Sequence, residues 1–148
     1  FKDSFKETVK ERNRYFERIE LVNDWIKETV SYIEQNDENS IIIILADHGG
    51  WVGLENYDDM YSTKDESLIN STFSALSAIK WNGFLKPDFD ENLKSNVNLF
   101  RVLFSTLSEN EKYLDALEDD SSFNIRINKF GFKTVERIIN NDGQILIK

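Results

Sequence analysis

The chain contains no cysteine, which leaves no disulfide framework, no thiolate zinc site and no cysteine nucleophile. Histidine occurs once, at position 48, so all imidazole chemistry is confined to that position. No apolar run approaches the length of a membrane span, and no signal-peptide pattern is visible. Glycine loops of the phosphate-cradling type, nucleic-acid motifs, internal repeats and low-complexity tracts are also missing. Lysines and arginines are scattered among acids, and the net charge of −9 argues against a nucleic-acid or anionic-membrane surface, because such partners need a basic patch to displace counterions. The chain opens at Phe1 without an initiator methionine, from which a piece of a longer protein is expected.

What is present fits one globular domain: 148 residues, 40% of them apolar, are enough to bury a sizeable core. The organising stretch is Ser40-Ile41-Ile42-Ile43-Ile44-Leu45-Ala46-Asp47-His48-Gly49-Gly50. Its β-branched run is too short for a free-standing helix and reads as a strand buried on both faces. Asp47 and His48 follow where the strand must stop, and the two glycines allow a sharp turn and close backbone approach. In open α/β sheets that carboxyl edge is where ligands bind, and a carboxylate beside an imidazole is a possible pair of metal ligands.

Before the strand, residues 1–36 read as a helix. Ser4 with Glu7 forms a capping-box pattern, and Tyr15, Ile19, Val22, Ile26, Thr29 or Val30, and Ile33 recur at helical spacing on a face expected to lie on the sheet. The opposite side, with Glu17, Glu20, Asp24, Lys27, Glu28 and Glu34, is expected to be solvated, with Asp24 and Lys27 spaced to pair. After Gly50 comes a long aromatic and acidic connection through Trp51, Tyr57, Asp58, Asp59 and Tyr61, more in keeping with a site loop than with disorder. Thr63 with Glu66 predicts a short helix to about Asn70. Residues 71–81 are ambiguous by period. Turns are expected at Asn82-Gly83 and Lys86-Pro87-Asp88. A second amphipathic helix, capped by Ser95 or Asn96, carries Val97, Phe100, Leu103, Phe104 and Leu107, and Ser108 with Glu111 predicts a further helical piece. From Phe123 onward apolar residues alternate, and Asp142-Gly143 between apolar runs predicts antiparallel strands.

The apolar run, the Asp-His-Gly, the preceding helix, and then Phe73-Ser74-Ala75-Leu76-Ser77-Ala78-Ile79 and Asn98-Leu99-Phe100-Arg101 in that order resemble the C-terminal part of a sulfatase-like hydrolase. That family belongs to the alkaline-phosphatase superfamily of metal-dependent phosphate and sulfate ester hydrolases. The resemblance covers residues 1–122, leaves 123–148 as a β-rich tail, and makes 71–81 a strand. It implies an α/β fold with a central, mostly parallel sheet and flanking helices, Ile41 to Leu45 being a central strand between the two amphipathic helices. It also implies that Asp47 and His48 coordinate a divalent metal (Zn, Mn or Ca) in the full-length protein. The nucleophile (Thr, Ser or formylglycine) and further acidic ligands would lie upstream, so the chain by itself is expected to be inactive and to hold metal weakly or not at all. An ester substrate of the parent and an extracytoplasmic or membrane-associated setting are implied in the same way. Self-association through surfaces exposed by truncation is a further expectation.

The competing reading is a non-catalytic binding or structural module in which Asp47 and His48 only cap a turn. Of the other candidates, Asp58 and Asp59 read as solvated loop acids, Lys64 as an exposed helix-start lysine and Arg101 as a structural ion pair. Trp51, Tyr57 and Tyr61 stand evenly between lining a pocket and covering a sheet edge.

Overall fold

The structure is a computed structural model describing residues 2–54, 56–81 and 93–146, with the side chains of 2–8 and of Tyr57 outside the description. The Ser4–Glu7 capping box, the Asn82-Gly83 turn and the Lys86-Pro87-Asp88 loop therefore fall outside the described residues. The chain forms two compact units, one of residues 1–57 with 67–84, the other of 58–66 with 85–148.

In the first unit, helix α1 (Lys2–Asn36) leads through a tight Asp37–Ser40 turn into strand β1 (Ile41–Leu45). Asp37 closes that turn by accepting the Asn39 amide on Oδ1 (3.1 Å). Helix α2 (Glu66–Phe73) and strand β2 (Ser77–Trp81) complete it. Residues 71–81 are thus divided between a helix end and a strand. Thr63 does take up the approach to α2, its hydroxyl accepting the Asp65 amide (3.2 Å).

The expected central, mostly parallel sheet is not what forms. Among the described residues there are two separate two-stranded antiparallel sheets. β1 pairs with β2 in the register Ile41↔Trp81 to Leu45↔Ser77. The reason lies in where α2 ends. The Gly49 amide donates to the Thr72 carbonyl (2.7 Å), the Ser71 hydroxyl to the Gly50 carbonyl (3.0 Å), and the Ala46 amide to the Leu76 carbonyl (2.9 Å). These bonds hold the last turn of α2 at the carboxyl end of β1, so the next strand starts there and must run back. A parallel neighbour requires a crossover returning to the other end of the strand.

Strand β1 is accordingly neither central nor buried on both faces: only Ile42 is buried, and Leu45 is exposed. Ile42, Ile69 and Thr72 supply the buried side chains of this unit. α1 joins it through Tyr15, whose ring lies against Gly50, and through an ion pair between Glu34 and Lys80 of β2.

The second unit contains a 3₁₀ turn (Tyr57–Tyr61) shared at its start with the first, helix α3 (Leu99–Ser108), a second 3₁₀ segment (Glu111–Ala116), and strands β3 (Ser122–Ile127) and β4 (Lys133–Ile139). The structure corrects two capping expectations. Asn98 stands at the N-cap of α3 without a side-chain cap bond, and Asn110, rather than Ser108, caps the 3₁₀ segment by accepting the Lys112 amide. The Ser108 hydroxyl instead donates back to the Phe104 carbonyl (2.6 Å).

Freed from capping, buried Asn98 bolts the segment before β3 to the start of α3. Its Nδ2 donates to the Glu118 carbonyl (2.8 Å) and Asp120 Oδ1 (3.2 Å), while its Oδ1 accepts the Glu118 amide (2.9 Å). Asn98→Ala strips partners from buried groups and is expected to cost about 1–3 kcal/mol, read as a lowered midpoint in chemical denaturation. A midpoint equal to that of the parent sequence would show that this bolt contributes nothing.

The tail forms antiparallel strands, with β3 pairing β4 from Ser122↔Ile139 to Ile127↔Lys133 across a register shift after Ser122. The Asn140–Gly143 turn leads to a further Ile139↔Ile145 bridge. Gly143 has a φ of 79° there, as a turn of this kind demands. The hairpin turns its polar residues inward. Asn124 donates to the Met60 carbonyl (2.8 Å) and Arg126 to the Thr63 carbonyl (2.7 Å), leaving Phe123, Ile125, Ile127 and Val135 exposed.

Candidate functional site

β1 delivers the chain to Asp47 and His48 at its carboxyl end, and the glycines that follow decide how the turn is made. Neither Gly49 nor Gly50 has a positive φ, so both are required for closeness rather than for handedness. A Cβ on Gly49 would land on the Ser71 carbonyl oxygen, and one on Gly50 would come within 3.0 Å of the Tyr15 hydroxyl oxygen. The backbone of the turn can therefore sit directly against α2 on one side and α1 on the other.

This leaves the two candidate ligands outside the packed region, with side chains 91% exposed for Asp47 and 51% for His48. Asp47 Oδ1 accepts the His48 amide (3.0 Å) and lies 3.8 Å from His48 Nε2, too far for a hydrogen bond. His48 Nδ1 has two neighbours, the Gly49 carbonyl oxygen at 2.7 Å and the Trp51 indole nitrogen at 2.9 Å. One ring nitrogen cannot donate to the first and accept from the second, so these contacts belong to alternative tautomers. With the proton on Nδ1 and given to Gly49, the Nε2 lone pair is available to a ligand. With Nδ1 accepting the indole proton, Nε2 carries hydrogen and is blocked. The Trp51 ring sets the imidazole edge-on, with centroids 5.5 Å apart at 73°.

The pair fits part of a metal's first shell. Ligand distances of about 2.0–2.2 Å put neighbouring donor atoms roughly 3–3.5 Å apart, a small rotamer adjustment from the separation seen here. The Gly49 carbonyl also provides the backbone acceptor that metal-binding imidazoles commonly use on their other nitrogen. A complete shell is another matter: among the described residues no group of three or more histidines and acids is placed to hold a metal.

The other sequence candidates serve elsewhere. Trp51 joins His48. Asp58 and Asp59 lie in the 3₁₀ turn, where the Asp59 carbonyl accepts the Ser62 (3.1 Å) and Thr63 (2.8 Å) amides. Arg101 donates to the Val97 carbonyl (2.6 Å) and faces Glu118 at 3.9 Å, a structural use. Tyr61 and exposed Lys64 line an open cleft of about 500 Å³ in the second unit, together with Arg126, Asn128, Glu136 and Arg137. Sequence reasoning missed this cleft, and the alternation of polar residues in 123–127 was the signal that the hairpin would turn a polar face inward.

No helix among the described residues is long and apolar enough to cross a membrane. No protein-family model, curated protein or solved structure matches this chain.

Proposed function

We propose that the chain is the C-terminal part of a metal-dependent hydrolase of phosphate or sulfate esters, contributing Asp47 and His48 as half of a divalent-metal site. The observation that carries it is the placement of a free carboxylate edge and an imidazole side by side beyond a strand end, on a turn whose glycines are pressed against two helices. Such a turn positions both donors from rigid backbone. The motif order described from the sequence supports the same assignment. A bound Zn, Mn or Ca ion would stabilise charge developing on the attacked phosphoryl or sulfuryl group. Asp47 would offer a hard oxygen and His48 its Nε2, held in the competent tautomer by the Gly49 carbonyl. The nucleophile and remaining ligands belong to the upstream part of the parent, whose ester is the partner in this proposal. Nucleic acid is not a partner, in keeping with the acidic charge.

A second reading, a binding or structural module with the pair as a turn cap, is favoured by the Asp47 Oδ1 bond to the His48 amide and by the Trp51 indole on His48. Metal titration separates the two. The chain is expected to bind Zn²⁺ weakly in competition with a chromophoric chelator, to lose that binding in Asp47→Ala and in His48→Ala, and to show no ester turnover. Trp51→Phe removes the indole proton that competes for Nδ1 and is expected to tighten Zn²⁺ several-fold, by leaving Nδ1–H to the Gly49 carbonyl and Nε2 open. Zinc binding that survives both alanine substitutions would transfer the site elsewhere.

A further inference from the structure

Helix α1 carries a further row of large side chains between its Tyr15–Ile33 face and its acidic side. Leu21, Trp25 and Tyr32 are 72%, 66% and 69% exposed, which is unusual for three large side chains on one face. With exposed Arg14, Arg18 and Glu28 they form the series 14, 18, 21, 25, 28, 32, whose steps alternate four and three. That is the heptad spacing of a coiled-coil seam. It lies one position round the helix from the Tyr15–Ile33 series, which meets its own unit through Tyr15 at Gly50 and is itself partly exposed, Val22 most of all.

The occupant is set by self-complementarity. When two copies of α1 run antiparallel about a two-fold axis at the level of Asn23, Leu21 faces Trp25 of the second copy. Arg18 then faces Glu28 of the second copy, and Arg14 faces Tyr32 of the second copy. Every pair recurs by symmetry, as an isologous interface requires. The charged pair is of opposite sign, and the arginine–tyrosine pair can stack as a cation on an aromatic face. A parallel arrangement would instead set Arg14 on Arg14, Arg18 on Arg18 and Glu28 on Glu28, a set of like-charge clashes. We propose that this face is a homodimer interface, an antiparallel α1–α1′ pair whose seam spans residues 14–32, about 27 Å at 1.5 Å per residue. An interface of one helix per copy is small, so the association is expected to be weak and concentration-dependent.

The test is sedimentation equilibrium of the 148-residue chain over a range of concentrations, with helix content checked by circular dichroism. Self-association is expected, weakened at least about tenfold by Trp25→Lys. Arg18→Glu and Glu28→Arg should each weaken it about threefold to tenfold, and the double swap should restore it. Because the chain lacks cysteine, orientation can be read directly. A mixture of Leu21→Cys and Trp25→Cys chains should form the mixed disulfide faster than either forms its own. A monomer at all concentrations, association untouched by Trp25→Lys, a double swap no better than the single ones, or preferential Leu21→Cys self-crosslinking would each overturn the proposal.

Discussion

Asp47→Ala or His48→Ala, made in the full-length hydrolase proposed above, is expected to lower metal-dependent ester hydrolysis by more than about 100-fold, since even the outer-shell partners of metal ligands cost 10–100-fold when removed. The fold should survive, because both side chains are exposed beyond β1 and make only short-range contacts within Asp47–Trp51. Asp47→Asn distinguishes the two readings of the pair. The amide oxygen of asparagine can still accept the His48 N–H, so a mere turn cap would keep nearly full activity. As a metal ligand the neutral amide is a poor substitute for carboxylate, and activity should fall nearly as far as in Asp47→Ala. The measurement is metal content and initial rate for the parent and the three variants side by side. Full activity in all three would remove both residues from the site. On the same proposal the chain by itself should be inactive in that assay, the nucleophile needed for covalent attack being placed upstream. Its net charge of −9 also does nothing to draw in an anionic ester.

Gly49→Ala is expected to be the most damaging single-methyl change in the first unit. The added Cβ overlaps the Ser71 carbonyl oxygen and comes within 2.9 Å of the Ser74 carbonyl oxygen. Both obstacles are backbone, so no side chain can swing away. Relief requires the α2 end to move off the turn, breaking the Gly49–Thr72 bond (2.7 Å) and releasing the constraint that makes β2 run antiparallel. A loss of about 3 kcal/mol, at the upper end of overpacking costs, is expected. Gly131→Ala provides the comparison: nothing lies within 4 Å of the added atom, and the cost is only that of a φ of 82°, about 1–2 kcal/mol. Thermal melts of the two variants should rank in that order. A Gly49→Ala melt equal to the unsubstituted chain would mean that the turn does not rest on α2.

Several features were legible because they depend on neighbours in sequence. The helical spacing from Tyr15 to Ile33, the β-branched run of β1, the Asn140–Gly143 turn and the Asp24–Lys27 pair, seen at 3.2 Å, all follow from local geometry. So does the position of Asp47 and His48 at a strand end. The four-three series from Arg14 to Tyr32 was not read from the sequence, because three of its six members are charged and only the exposure of Leu21, Trp25 and Tyr32 drew it out.

What only the tertiary structure decided is how separate segments meet. Strand direction is one such decision: the isoleucines of β1 suit either direction equally, and the antiparallel outcome comes from the bonds that Gly49 and Gly50 make to Thr72 and Ser71, more than twenty residues away. The inward polar face of the β3–β4 hairpin is another, since alternation marks two faces without saying which will find the Met60 and Thr63 carbonyls. The tautomer conflict at His48 is a third: its parts are adjacent in sequence, but it exists only because the glycine turn brings a carbonyl and an indole to the same ring nitrogen.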